Sequence, residues 1–262
     1  MRRLLEAWRA RQQARALQRR AIPESLWQLT LARFPFLAWR SADDLARLRT
    51  LTALFLDQKE FTGAQGLQVD DSMAVAIAAQ AVLPVLNRPE GLQLYSAFVG
   101  IVVHPDEVVA QREVMDDDGV VHRYTEPLSG EAMLGGPVML SWPDVSDAAE
   151  SAEWGYNVVI HEFAHVIDMV DGEADGVPPM ADVPALQAWV DTIVPLFEQF
   201  CAAVDAGEDT LLDPYGASSL DEFFAVAAEA FFVAPKALRA EQPDLYGLLA
   251  RYFLQDPALH GA

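Results

Sequence analysis

A chain of 262 residues, 52% of them hydrophobic, suits one large domain with its own core, or one domain and a short appendage. Its formal net charge of −21 opposes nonspecific attachment to nucleic acid or to an anionic membrane surface. A single cysteine, Cys201, excludes an intrachain disulfide, and among Leu196, Phe197 and Phe200 its thiol reads as a packing residue.

Residues 1–21 read as a separate arm, predicted helical. Seven Arg against the lone acid Glu6 in the first twenty residues give this arm +6 and leave −27 on the rest. The arm has no apolar run of roughly 7–15 residues and no small-residue cleavage pattern, so it is not a secretory signal. Nothing along the chain approaches the ~18 uninterrupted apolar residues of a spanning helix. A cytoplasmic protein without a membrane span is expected. The arm is read as a solvated or surface-docked helix, with contact to an acidic partner or lipid as the alternative.

Pro23 and Pro35 punctuate the approach to the body, which is taken as one domain over 22–256 followed by a tail at 257–262. Ser41-x-x-Asp44 starts a predicted helix through about Lys59, with Leu45, Leu48, Leu51, Leu54 and Phe55 on its inner side. A second helix is predicted over 71–86. Strand-like segments follow at Tyr95–His104, Val108–Met115 and Val120–Tyr124, the last two flanking the turn signal Asp116-Asp117-Asp118-Gly119. Pro137–Trp142 is a further short apolar run. Helical periodicity then covers about 151–170, 183–205, 219–233 and 244–254. The plan is an α+β domain, mostly helical, with a small sheet ahead of the helix at 151–170.

That helix carries the sharpest signal, His161-Glu162-Phe163-Ala164-His165. Positions i and i+4 share one helical face, so two imidazoles there can converge on one Zn²⁺ at about 2.0–2.1 Å. Glu162 points beside the ion and suits a base acting on a zinc-bound water. The flanking residues are nearly all apolar, so the two histidines and the glutamate need partners in a buried setting. Two hydrogen-bonded core histidines are the bland alternative.

A third ligand is required. His104 and His122 end polar strand segments, and His260 is almost at the terminus. Glu222 and Glu229, seven apart on an apolar helix, are better candidates on one face. Glu222 has a competing reading as the glutamate of a Ser219-x-x-Glu222 capping box. Glu229 reads as a support for a histidine N–H, and Asp168 fits the same role or that of an ordinary helix-surface acid.

The run HEFAHVID, then Asp213-Pro214-Tyr215-Gly216-Ala217-Ser218, then Glu222-Phe-Phe-Ala-Val-Ala-Ala-Glu229-Ala-Phe-Phe, resembles the Mlc titration factor A (MtfA) family of bacterial zinc peptidases. Phe55-Leu-Asp-Gln-Lys59, Gly136-Pro-Val-Met-Leu-Ser-Trp142 and Asn157-Val-Val-Ile160 resemble it as well, so the likeness runs over roughly 40–256. Ala228 stands where the family has a serine, and the Arg-rich arm before residue 22 matches nothing in the resemblance. The likeness implies a gluzincin-like, zincin-type fold with a zinc region similar to that of the anthrax lethal factor peptidase domain. It implies Glu222 as third ligand, Tyr215 near the metal as donor to a developing oxyanion, and one Zn²⁺ per chain. It also implies hydrolysis of a peptide or protein substrate, the alternative being a regulatory binding protein that captures a transcriptional repressor, with zinc mainly structural or the activity conditional. A deformylase-like reading fails, because its ligand cysteine precedes the histidine helix and Cys201 follows it.

Overall fold

The computed structural model describes residues 2–106, 108–115, 121–128, 130–151 and 155–259; within these, side chains of 2–7, 9–10, 108–115, 121–128 and 149–151 are not described. Helices α1 (Arg2–Arg19), α2 (Glu24–Arg33), α3 (Pro35–Ala38) and α4 (Ala42–Gln58) come first. Ser41 starts α4 as its spacing predicts, its Oγ accepting from the Asp44 N–H at 3.1 Å. Leu48, Ala53, Leu54 and Phe55 of α4 are buried, whereas Leu45 and Leu51 are half-buried. The arm lies along α4: Ala16 is buried, and the Arg19 guanidinium makes two bonds to Asp57, at 2.8 and 3.2 Å.

Strand β1 (Glu60–Gly63) and helix α5 (Asp71–Ala81) follow, the helix being capped by Asp70 accepting from Met73 N–H at 2.9 Å. The helix predicted over 71–86 stops at Ala81, and two further segments depart from the predicted pattern. The stretch Tyr95–His104 becomes a strand only at β2 (Gly100–His104); Tyr95 instead ends a 3-10 helix, with its ring buried and its hydroxyl donating to Ala81 O at 2.7 Å. The aromatic enrichment there serves the core rather than a pleat. Strands β3 (Val108–Met115) and β4 (Val121–Leu128) pair antiparallel, Met115 opposite Val121; the predicted turn between them lies outside the described residues.

Strands β5 (Gly130–Ala132) and β6 (Val138–Ser141) complete a mixed sheet of order β1-β2-β6-β5. β1, β2 and β6 run parallel, and β5 returns antiparallel on β6. The predicted helix over 151–170 is shortened at both ends, and a helix not predicted precedes it. One helix, α6, spans Trp142–Ser151; the next, α7, begins only at Val158 and ends at Asp168. Asn157 sets that start, since its side-chain oxygen accepts from Ile160 N–H at 2.9 Å. α8 (Val183–Asp205), capped by Asp182, α9 (Leu220–Val233), α10 (Pro235–Glu241) and α11 (Pro243–Phe253) close the chain. The α+β class is as the sequence predicts. Among the described residues no helix is long and apolar enough to cross a membrane.

α7 lies against the sheet on one side and α9 on another, which explains its all-round apolar sequence. Phe163 anchors it. Its ring meets Tyr95, Phe55 and Phe98 at centroid distances of 4.9, 5.6 and 5.9 Å. Beneath this cluster the buried Lys59 ammonium sits 3.7 Å from the Phe98 ring centroid and donates to the carbonyls of Tyr95 and Phe98. Phe163→Ala should therefore cost about 3–5 kcal/mol, measured by denaturant unfolding.

Candidate metal centre

α7 presents His161 and His165 one turn apart, their ring centroids 4.8 Å apart and their Nε2 atoms 3.2 Å apart. α9 runs against α7. Its residue 229 meets the start of α7, and its residue 222 meets the middle. Glu222 Oε2 lies 3.0 Å from His161 Nε2 and 3.4 Å from His165 Nε2. Ser219 makes no side-chain cap, so the capping-box alternative for Glu222 lacks one of its two bonds.

Three observations bear on whether these residues fit a divalent ion. Glu222 Oε2 is buried and makes no hydrogen bond among the described residues, although it faces two imidazole nitrogens. The three donor atoms all lie within 4.8 Å of one another. A tetrahedral ion with bonds of about 2.0–2.1 Å holds its donors about 3.3 Å apart, close to the separations of 3.0, 3.2 and 3.4 Å. The donor set fits.

Glu229 organises the nitrogen side. It is buried, with Oε1 2.8 Å from His161 Nδ1 and Oε2 accepting from the Asn157 backbone N–H. With Nδ1 held by Glu229, the His161 Nε2 is turned toward Glu222 and His165. The network continues: Asn157 Nδ2 donates to Gln80 Oε1 at 2.7 Å, and Gln80 Nε2 to Ala76 O at 3.1 Å. Asn157 thus both caps α7 and ties its start to α9 and α5. Neither Asn157 nor Gln80 was singled out by residue spacing. The available signal was an amide within the apolar run of 74–86.

Glu162 is 5% exposed, and burial pushes its carboxyl up to about 7 against the opposing pull of His161 and His165. Burial also raises Glu229, partly countered by His161. For His161 the desolvation that lowers it is overcome by Glu229, Glu222 and Glu162, and it ends well above its usual range. Burial alone would raise Glu222, but the two imidazoles beside it hold it below the ordinary carboxylate range. Three carboxylates around two histidines make a pocket that demands positive charge.

Gly130 of β5 lies over Glu162: a Cβ there would come within 2.5 Å of Glu162 Oε1. Tyr215, 48% exposed, sits in the 3-10 turn Pro214–Ala217, and its hydroxyl donates to Glu222 Oε1 at 3.3 Å. Asp168 is not at the histidines. Its Oδ2 accepts from the backbone N–H groups of Asp175 and Gly176 at 2.9 and 2.8 Å, and burial raises its carboxyl to about 6. Glu162, His161, His165, Tyr215, Glu222 and Glu229 line one cleft of about 390 Å³. His104 and Cys201 line no part of it, the side chain of His122 is not described, and His260 lies outside the described residues. Glu229→Gln should weaken divalent-metal binding about 10–100-fold, read by chelator competition, because an amide has one acceptor oxygen and cannot accept from both His161 Nδ1 and the Asn157 N–H.

A model of the family described as glucose-regulated metallo-peptidase M90 matches residues 6–254. The match thus begins inside the Arg-rich arm, well ahead of the segment on which the resemblance was read. Mlc titration factor A of Pectobacterium atrosepticum is 34% identical over 235 residues, covering 88% of this chain and 86% of its own length. The Edwardsiella ictaluri protein of the same name is 35% identical over 226 residues, 85% of each chain. An uncharacterized protein of Synechocystis is 32% identical over 255 residues, 97% of this chain and 90% of its own. The chain belongs to the M90 metallopeptidase family, together with proteins named Mlc titration factor A.

Proposed function

We propose that the protein is a zinc-dependent peptidase in which His161, His165 and Glu222 hold the ion and Glu162 is the general base. The observation that carries this reading is the convergence of three donor atoms, one of them the buried and otherwise unbonded Glu222 Oε2. Two imidazoles and a carboxylate suit Zn²⁺, and three protein ligands leave a position open. An ion bound there would polarise a peptide carbonyl as a Lewis acid and make a water acidic near neutral pH.

The chain's own residues supply the rest. Glu162, buried beside the two imidazoles, takes the proton of the attacking water and returns it to the departing amine. Tyr215 turns its hydroxyl from Glu222 Oε1 toward the negative oxygen that develops at the carbonyl carbon, a donor role worth about 2.7–4 kcal/mol where such groups have been removed. β5 lines the cleft and, among the described residues, pairs only with β6, so its other edge offers backbone groups to an extended peptide.

The name Mlc titration factor A borne by relatives favours a second reading, capture of a repressor protein. The two readings separate in one variant. Glu162→Gln should keep the metal and lose about 10²–10⁴-fold in peptide turnover, with repressor capture unchanged. Wild-type turnover in that variant would remove Glu162 from the chemistry. Gly130→Ala should lower turnover with the metal content unaltered, because the added methyl displaces Glu162 and touches no proposed ligand.

A further inference from the structure

The antiparallel helices α7 and α9 are joined at one end by Glu229, which reaches His161 and Asn157. A second junction lies at the other end. Asp168, the last residue of α7 and fully buried, holds the backbone of Asp175 and Gly176 through a single carboxylate oxygen. Gly176 in turn abuts Leu220, the first residue of α9. It adopts φ +77°, and a Cβ on it would come within 2.5 Å of Leu220 O and 2.6 Å of Leu220 Cγ. The Gly176 carbonyl is also held, accepting from Trp189 Nε1 at 3.0 Å. Trp189 packs on Phe224 of α9 at 5.7 Å and on Tyr252 of α11 at 5.2 Å. The segment from Asp168 to Gly176 is therefore a strap whose two ends are the end of the histidine helix and the start of the glutamate helix. Glu222 stands in the first turn of α9, two residues past the strap's seat.

We infer that Asp168 is a positioning residue for Glu222: by fixing Gly176 against Leu220 it sets how far the Glu222 carboxylate lies from the two imidazoles. This rests on the reading of His161, His165 and Glu222 as metal ligands. Asp168 makes no hydrogen bond to either imidazole; its bonds go to the backbone of the strap, while its charge also acts on His165 through space. The part of its influence carried by the strap should pass through Glu222, and Gly176→Ala, which changes no charge, isolates that part. Coordination tolerates displacements of only about 0.2 Å in ligand distance, so a small shift in the seat of α9 is felt at the ion.

The test is a double-mutant cycle on the full chain, read as Zn²⁺ affinity by chelator competition. Asp168→Asn removes the charge that gathers the two N–H groups without changing side-chain volume. Gly176→Ala attacks the same contact from the opposite side. Each should lower Zn²⁺ affinity about 10-fold or more in the otherwise unchanged chain, and less than about 2-fold when Glu222 is already alanine. The visible spectrum of the Co²⁺-loaded protein should change with Asp168→Asn, and no further change should appear on the Glu222→Ala background. Equal losses on both backgrounds would mean general loosening and overturn the inference, as would wild-type affinity in both variants. If Asp168→Asn does not fold, Gly176→Ala decides. A chain that binds no Zn²⁺ at all would overturn the ligand reading itself, and the inference with it.

Discussion

A buried carboxylate shared between two helices is the interaction on which the rest of the site depends. Glu229 has almost no contact with solvent, and it accepts from one imidazole and one backbone amide at once. A charge in that position is costly unless its lone pairs are filled, and both donors come from α7 or its cap. The same pair of bonds that satisfies Glu229 fixes the start of α7, the rotation of α9 and the face that His161 turns to the cleft. Remove it and three placements are lost together.

The surroundings are built to keep this arrangement dry and close. Ala225, Ala227, Ala228 and Ala230 are all buried on α9, and such small side chains let neighbouring backbone approach. Phe163 and the rings of Phe55, Tyr95 and Phe98 fill the opposite side of α7. With the helix fixed from behind by packing and from the front by Glu229, little freedom remains in where the imidazoles point. The ionisable groups of the cleft are then shifted by burial and by one another, as expected of functional sites.

Much of this was legible in the sequence wherever a local rule coincides with a tertiary demand. Ser41 marks a helix start, and α8 and α9 fall where periodicity puts them. The spacing of His161 and His165, and that of Glu222 and Glu229, places each pair on one face. What was not legible depends on approach rather than on period. Gly130 earns its identity from the carboxylate beneath it, and no neighbour in sequence reveals that. Asp168, read as a partner for a histidine, instead gathers the backbone of the strap, because α7 ends there and the chain turns back within hydrogen-bonding reach. Tyr95 looked like a strand residue because aromatic enrichment marks strands and cores alike.

The two histidines and Glu222 lie on helices separated in the chain by α8 and the turn that carries Tyr215. A polypeptide made from its amino end therefore completes the histidine helix before Glu222 has been added. An unfinished chain, or a fragment clipped before residue 220, carries the conspicuous motif but not the constellation. That order of assembly follows from topology alone.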